Sequence, residues 1–195
     1  MIVYFVRHGQ SEGNISDRVC GQSDVPLTDQ GYEDARRAGK YLEGISFDRI
    51  YSSDLCRAVQ TAQTAIPGCE PIRLSLLREL NTGNLTGRPV KEIRESPDET
   101  LRKALRWQNY AIYEGEDWSM LQARAGKFLK MLEEDPCECA AVFSHAGFLR
   151  ASLEMAILDG ARIDPRHIRC TNASVMKLVY EENTWRLLAW GAGIV

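Results

Sequence analysis

Short apolar runs alternating with amphipathic helical patterns constrain this chain more than any other feature of its sequence. Ile2 to Val6, Phe47 to Tyr51 and Ala140 to Phe143 are brief and apolar, the pattern of strands buried on both faces. Pro71 to Leu74 is a weaker version. Between these runs, Thr28 reads as the N-cap of a helix through about Leu42, with Ala35, Ala38 and Leu42 on its apolar face and Gly44 as its stop. Asp54 reads as the N-cap of a helix whose face is Leu55, Ala58, Val59, Ala62 and Ile66, ended by Pro67-Gly68. Asp117 introduces a strong amphipathic helix with Leu121, Ala125, Phe128, Leu129 and Leu132, and another helix runs from about Phe148 to Leu158. Ser174 to Tyr180 and Trp185 to Trp190 form a closing hairpin around Glu182-Asn183. The alternation specifies an α/β fold, a three-layer α/β/α sandwich with a mostly parallel central sheet. No repeat or linker divides residues 1–195, so a single domain is expected.

Composition narrows the partners. A net charge of −3 gives no electrostatic reason to expect nucleic acid or an anionic membrane surface. No apolar run approaches the roughly 20 residues of a transmembrane helix. The chain opens directly on a strand pattern with no basic leader or cleavage site, so a cytoplasmic protein is expected. Cys20, Cys56, Cys69, Cys137, Cys139 and Cys170 are scattered, and the one close pair, Cys137 and Cys139, has neither zinc-knuckle nor CxxC spacing. Reduced thiols follow from that reading. Nothing in the sequence specifies oligomeric state.

Ligands of such sheets bind beyond the carboxyl ends of the strands. His8 follows the first strand, Ser53 the second, Glu79 the third and His145 the fourth. Arg7 brings a planar fork of donors suited to phosphate or carboxylate. His8 can attack or shuttle protons near neutral pH. Gly9 lets a bound group approach the backbone. Arg57 lies in the first turn of its helix, where side chains lean back toward the N-terminus and its free N–H groups favour an anion. The remaining histidine, His167, sits in the loop pattern Asp164-Pro165-Arg166-His167 and reads as solvated; Glu133-Glu134 reads as a solvated helix end. No metal site and no cofactor are called for.

The ordered set of motifs resembles the histidine phosphatase superfamily, with its phosphoglycerate mutase-like fold. The resemblance rests on Arg7-His8-Gly9 with Asn14, Pro26-Leu27-Thr28 with Gly31, and Ser53-Asp54-Leu55 with Arg57-Ala58 and Thr61-Ala62. It continues through Leu77-Arg78-Glu79 with Gly83 and Gly87, Ser144-His145-Ala146-Gly147, and Asn172-Ala173-Ser174. It implies His8 as the phosphoryl-accepting nucleophile, and Arg7, Arg57 and His145 as a clamp on the non-bridging oxygens. It also implies Glu79 as the proton donor, with Gly9, Asn14, Ser53 and Gly147 as further contacts to the phosphoryl pocket. The expected activity is metal-independent hydrolysis of a small phosphomonoester through a phosphohistidine. The alternatives are a cofactor-dependent phosphoglycerate mutase, which the compact chain ending at Val195 makes the lesser expectation, and a non-catalytic phosphate-binding regulator. The irregular stretch 88–118 is expected to cover the strand ends, with Arg88, Lys91, Arg94, Arg102, Lys103 and Arg106 offering a site for a second anionic group beside Trp107, Tyr110, Tyr113 and Trp118.

Overall fold

The computed structural model describes residues 1–164 and 167–193. The strands are β1 (Ile2–Arg7), β2 (Arg49–Ser52), β3 (Ile72–Arg73), β4 (Cys139–Ser144), β5 (Val175–Glu181) and β6 (Thr184–Ala192). They form one sheet in the order β3-β2-β4-β1-β5-β6. The four strands from β3 to β1 run parallel, whereas β5 and β6 extend the sheet as an antiparallel hairpin. Glu182 and Asn183 both take positive φ, 51° and 58°, as the tight turn between twisted strands requires. The helices are α1 (Glu12–Ile15), α2 (Asp29–Leu42), α3 (Cys56–Ala65), α4 (Val90–Glu95), α5 (Glu99–Trp107), α6 (Trp118–Glu134) and α7 (Ala146–Ile157). Among the described residues, no helix is long and apolar enough to cross a membrane.

Period-2 alternation along β1 and β4 distributes the core between two faces. Val3, Phe5, Ala140 and Val142 pack with Leu121, Ala125, Phe128 and Leu129 of α6 and with Phe148 and Leu149 of α7. Tyr4, Val6, Ala141 and Phe143 pack with Ala38 and Leu42 of α2 and Ala62 and Ala65 of α3. The result is the three-layer α/β/α sandwich around a mixed, mostly parallel sheet. α2 and α3 approach so closely that a Cβ on Gly39 would stand 2.6 Å from the Ala65 carbonyl oxygen. On the other face, the fully buried Phe128 ring meets Phe5, Tyr51 and Phe148 edge-on, with centroids 5.5–6.3 Å apart.

Thr28 and Asp117 cap as expected, accepting from Gly31 N and Met120 N. Asp54 does not. Its carboxylate pairs with Arg78 at 2.7 and 2.6 Å, and α3 starts one residue later, at Cys56, whose N–H donates to Asp24 Oδ1 at 2.7 Å. The competing cation, 24 residues downstream, outweighed local capping. The irregular stretch between Val90 and Tyr113 forms α4, α5 and a 3₁₀ turn at Ala111–Tyr113. Pro97 supplies the break, because it lacks an N–H and keeps the preceding residue out of the α region. Asp98 then caps α5 through Thr100 N and Leu101 N. The strand expected over Pro71 to Leu74 shortens to Ile72–Arg73, both exposed at the sheet edge. The loop from Asp164 to His167 is described only at its two ends, Pro165 and Arg166 lying outside the described residues along with Ile194 and Val195.

Phe128 joins both strands and α7 across the larger core, so Phe128→Ala should destabilise the fold by about 3–5 kcal/mol. Chemical denaturation followed by circular dichroism measures this, with the transition midpoint falling and its slope unchanged.

Candidate active site

Strand register assembles the site. Arg7 of β1 lies opposite Ser144 of β4, and Ser52 of β2 lies opposite Phe143. The ladder continues one residue past β1 and β2: His8 N donates to Ser144 O at 2.9 Å, and Ser53 N to Phe143 O at 2.8 Å. His8, Ser53 and His145 therefore emerge side by side from three adjacent parallel strands. The two imidazole centroids are 5.1 Å apart. His145 Nε2 lies 2.9 Å from Ser53 Oγ, which also accepts the Leu55 N–H at 3.3 Å.

His8 Nδ1 sits 2.6 Å from the Gly9 carbonyl oxygen. A carbonyl only accepts, so Nδ1 carries the proton and Nε2 keeps its lone pair. At His145 the partner is a hydroxyl, Ser53 Oγ, which can donate to Nε2 while accepting from Leu55. In that tautomer the proton lies on the buried Nδ1, which has no hydrogen-bond partner in the protein. Burial, reinforced by Arg7 and Arg57, pushes the His8 pKa well below 6.5; burial with Arg57, His8, Arg7 and Arg124 does the same to His145. With their pKa values lowered, both rings are neutral at neutral pH: His8 offers a lone pair on Nε2, and His145 keeps a buried Nδ1 without a partner.

The arginines are fixed by backbone carbonyls rather than by carboxylates. Arg57, 2% exposed, donates to Gly21 O at 3.0 Å and Ser23 O at 2.7 Å. Arg7 donates to Cys170 O at 2.5 Å, and its Nε is buried without a partner. Burial lowers the Arg7 pKa from its ordinary value, though the guanidinium stays charged. Neither charge is cancelled by an ion pair among the described residues, so both remain available to an anion.

Glu79 enters from the segment after β3. Its Oε1 accepts the Leu80 N–H at 2.8 Å and its Oε2 the Gly147 N–H at 3.2 Å. The Glu79 carbonyl is held in turn by Gln22 Nε2 at 2.9 Å and Arg124 Nη2 at 3.2 Å. Arg124 is itself locked to Glu116 and to the carbonyls of Leu76 and Arg78. Asn14 Oδ1 accepts from Ser11 and from Asn172 Nδ2, which also donates to His8 O at 3.1 Å. Gly9 donates to Thr61 Oγ1 at 3.0 Å, and a side chain there would collide with Gly31 O. Gly31 is equally constrained, since its own Cβ would overlap Gln10 O.

Of the groups expected from residues 88–118, Tyr110 and Trp118 are buried, whereas several of the cations are engaged within their own segment. Arg88 pairs with Glu92, Lys91 with Glu95, and Lys103 with Glu99, all along their own helices. Arg102 bonds Ser96 O, and Arg106 lies over Trp107. What faces inward is Tyr110, 4% exposed, whose hydroxyl pKa rises to about 12 through burial and the nearby Glu79 charge, and Gln108, whose Oε1 accepts from Arg150 at 3.1 Å. The segment is zipped to the Glu79 loop by Glu116 N to Asn81 O and Asn81 N to Glu116 Oε2.

Sequence reasoning had missed Gln22, Arg124 and Arg150. Each is a polar residue whose partner is distant backbone or a distant side chain, and helical arginines are common on solvated faces. Arg150 did carry a signal: it sits within Phe148-Leu149-Arg150-Ala151, on a helix otherwise almost wholly apolar at that point.

The histidine phosphatase superfamily (branch 1) model matches residues 3–193, and the chain belongs to that superfamily. A curated relative, probable phosphoglycerate mutase GpmB of Escherichia coli O1:K1 / APEC, is 31% identical over 191 residues, covering 96% of this chain and 89% of the relative. Among solved structures, the α-ribazole phosphatase of Shigella flexneri superposes with a TM-score of 0.88 at 21% identity, covering 100% of this chain and 98% of that one. A mycobacterial glucosyl-3-phosphoglycerate phosphatase superposes at 0.83 with 25% identity and 98% coverage of both chains.

Two outcomes follow from this geometry. A methyl group at Gly147 would occupy the space of Glu79 Oε1, the movable end of a side chain. Gly147→Ala should therefore displace the carboxylate and cut phosphomonoester turnover at least about ten-fold, the scale of a misplaced acid–base group. Its thermal unfolding should stay near wild type. The second outcome concerns pH. The fold holds both site histidines neutral, so as pH falls below about 6.5 the unfolded chain takes up protons that the folded chain refuses, and stability is lost. Melts in phosphate-free buffer from about pH 7.5 down to about pH 5 should show this loss. The double variant His8→Asn, His145→Asn should flatten it.

Proposed function

We propose that the chain is a metal-independent phosphomonoesterase that hydrolyses a small phosphorylated metabolite through a phosphohistidine on His8. The observation that carries this reading is the state of His8: buried, neutral, its Nδ1 proton committed to Gly9 O, and Nε2 left beside two uncancelled guanidiniums.

In the first step His8 Nε2 attacks phosphorus and the ester P–O bond breaks. Glu79 gives its proton to the departing alkoxide. Arg7, Arg57 and the Nδ1–H of His145 receive the equatorial oxygens, whose charge must be neutralised for transfer. In the second step water attacks phosphorus, the P–N bond breaks with its electrons returning to Nε2, and Glu79 takes the water proton. Inorganic phosphate leaves and the starting state is restored. Fixed positive charge from two arginines supplies what a metal ion supplies in other phosphatases. The proposal includes a small-molecule partner, a cytoplasmic setting and residues 88–118 as the cover.

One observation favours a second reading. The relative at 31% identity is named as a phosphoglycerate mutase, an activity that returns the phosphoryl group to another hydroxyl. The two readings share the first step and part at the second.

Rapid quenching after exposure to a ³²P-labelled phosphomonoester should trap an acid-labile, base-stable adduct on His8, absent from His8→Ala and unchanged by EDTA. Label on serine or cysteine would overturn the mechanism. Release of the trapped group to water faster than to 3-phosphoglycerate distinguishes hydrolase from mutase.

A further inference from the structure

A second pocket opens beside the phosphoryl site and shares Arg7 with it. It has a volume of about 380 Å³ and is lined by Arg7, Ala146, Arg150, Ile168, Arg169, Cys170, Thr171 and Asn172. Three of these residues are arginines and none is acidic.

The pocket's polar groups are short of partners. Arg7 Nε, Arg150 Nε and Thr171 Oγ1 are all buried with no hydrogen bond in the protein. Leaving a buried donor unpaired costs stability, so three around one cavity mark a surface built for a missing acceptor. Arg150 is 8% exposed and close enough to Arg7 for the two charges to repel. Among the described residues, no ion pair relieves Arg150 or Arg169. Burying like charges together is unfavourable unless an anion joins them.

Arg150 is also held rigidly. Its guanidinium carbon lies 5.0 Å from the Trp118 ring centroid, and one Nη donates to Gln108 Oε1. Trp118 is pinned from behind by its Nε1–H bond to the fully buried Glu154, at 2.6 Å. The Glu154 carboxylate accepts from Trp118, Gln122 and Ile163 N, and among the described residues it forms no ion pair with Arg150. A fixed guanidinium loses little freedom on binding and suits a planar or tetrahedral oxyanion.

We propose that this Arg7–Arg150–Arg169 pocket receives a second anionic group of the substrate, so that the preferred substrates are phosphomonoesters bearing a carboxylate or a further phosphate. The inference rests on the phosphomonoesterase reading and moves substrate selection from the cations of residues 88–118 to α7 and the loop before β5. Cys170 and Asn172 complete the wall between the two anion positions, and Arg7 spans both.

The test compares matched esters: 3-phosphoglycerate and 2,3-bisphosphoglycerate against glycerol 3-phosphate. Wild type should favour the acid-bearing compounds in kcat/KM, chiefly through KM. The preference should fall about ten-fold or more in Arg169→Ala and in Arg150→Met, as expected for loss of a charge-assisted hydrogen bond. Arg169 is exposed, so its variant keeps the test decisive if Arg150→Met fails to fold. No preference in wild type, or a preference unchanged in Arg169→Ala, overturns the pocket assignment while leaving hydrolysis intact. Calorimetric binding of the same three compounds to His8→Ala separates the two readings: discrimination there without turnover by wild type refutes the hydrolase and keeps the pocket. Greater loss for 2,3-bisphosphoglycerate than for 3-phosphoglycerate identifies the second phosphate as the bound group, and equal loss for both identifies the carboxylate they share.

Discussion

Everything at the strand ends depends on the parallel pairing of β4 between β1 and β2. That register fixes which residues surface together, and the backbone bonds from His8 and Ser53 carry it one position beyond the regular ladder. Because the side chains alternate faces, a slip of one residue would invert the core as well as scatter the site. The energy that places the two imidazoles is thus mostly the energy of packing Phe5, Val142 and Phe143. The polar groups inherit their positions from an apolar decision.

Electrostatic preparation comes next. Arg7 and Arg57 are oriented by carbonyl oxygens, which satisfy their donors without removing their charge. Carboxylates in the same places would have satisfied the same donors and extinguished the field. Arg124 shows the contrast: it pairs with Glu116, and it serves to hold the Glu79 segment rather than to meet an anion. The chain's small negative net charge gives no hint of this local concentration.

Much of this was legible in the sequence because it is local. Apolar runs ending in Arg7-His8-Gly9 and Ser144-His145-Ala146-Gly147 carry both strand and chemistry within a few residues, and Thr28 and Asp117 announce their helices by capping. The failures share a cause. Asp54 was taken by Arg78, and α3 received its acceptor from Asp24, neither being adjacent in the chain. Pro97 was a local signal, yet the mixed polar and aromatic pattern around it obscured the break. The cations of residues 88–118 read as a binding surface because sequence lists charges without their partners. Arg150 read as nothing because the residues that make it unusual, Trp118 and Arg7, lie 32 and 143 positions away.

The back-to-back glycines at positions 9 and 31 bear on how such a chain changes over generations. A side chain at position 9 would strike the backbone of Gly31, and one at position 31 the backbone of Gln10, so neither replacement is relieved by a side-chain shift at its neighbour. The histidine and glutamate beside them are under no such steric obligation. A duplicated copy released from selection can therefore shed its chemistry first and keep its shape, leaving inactive descendants recognisable by their glycines long after the reactive side chains have drifted.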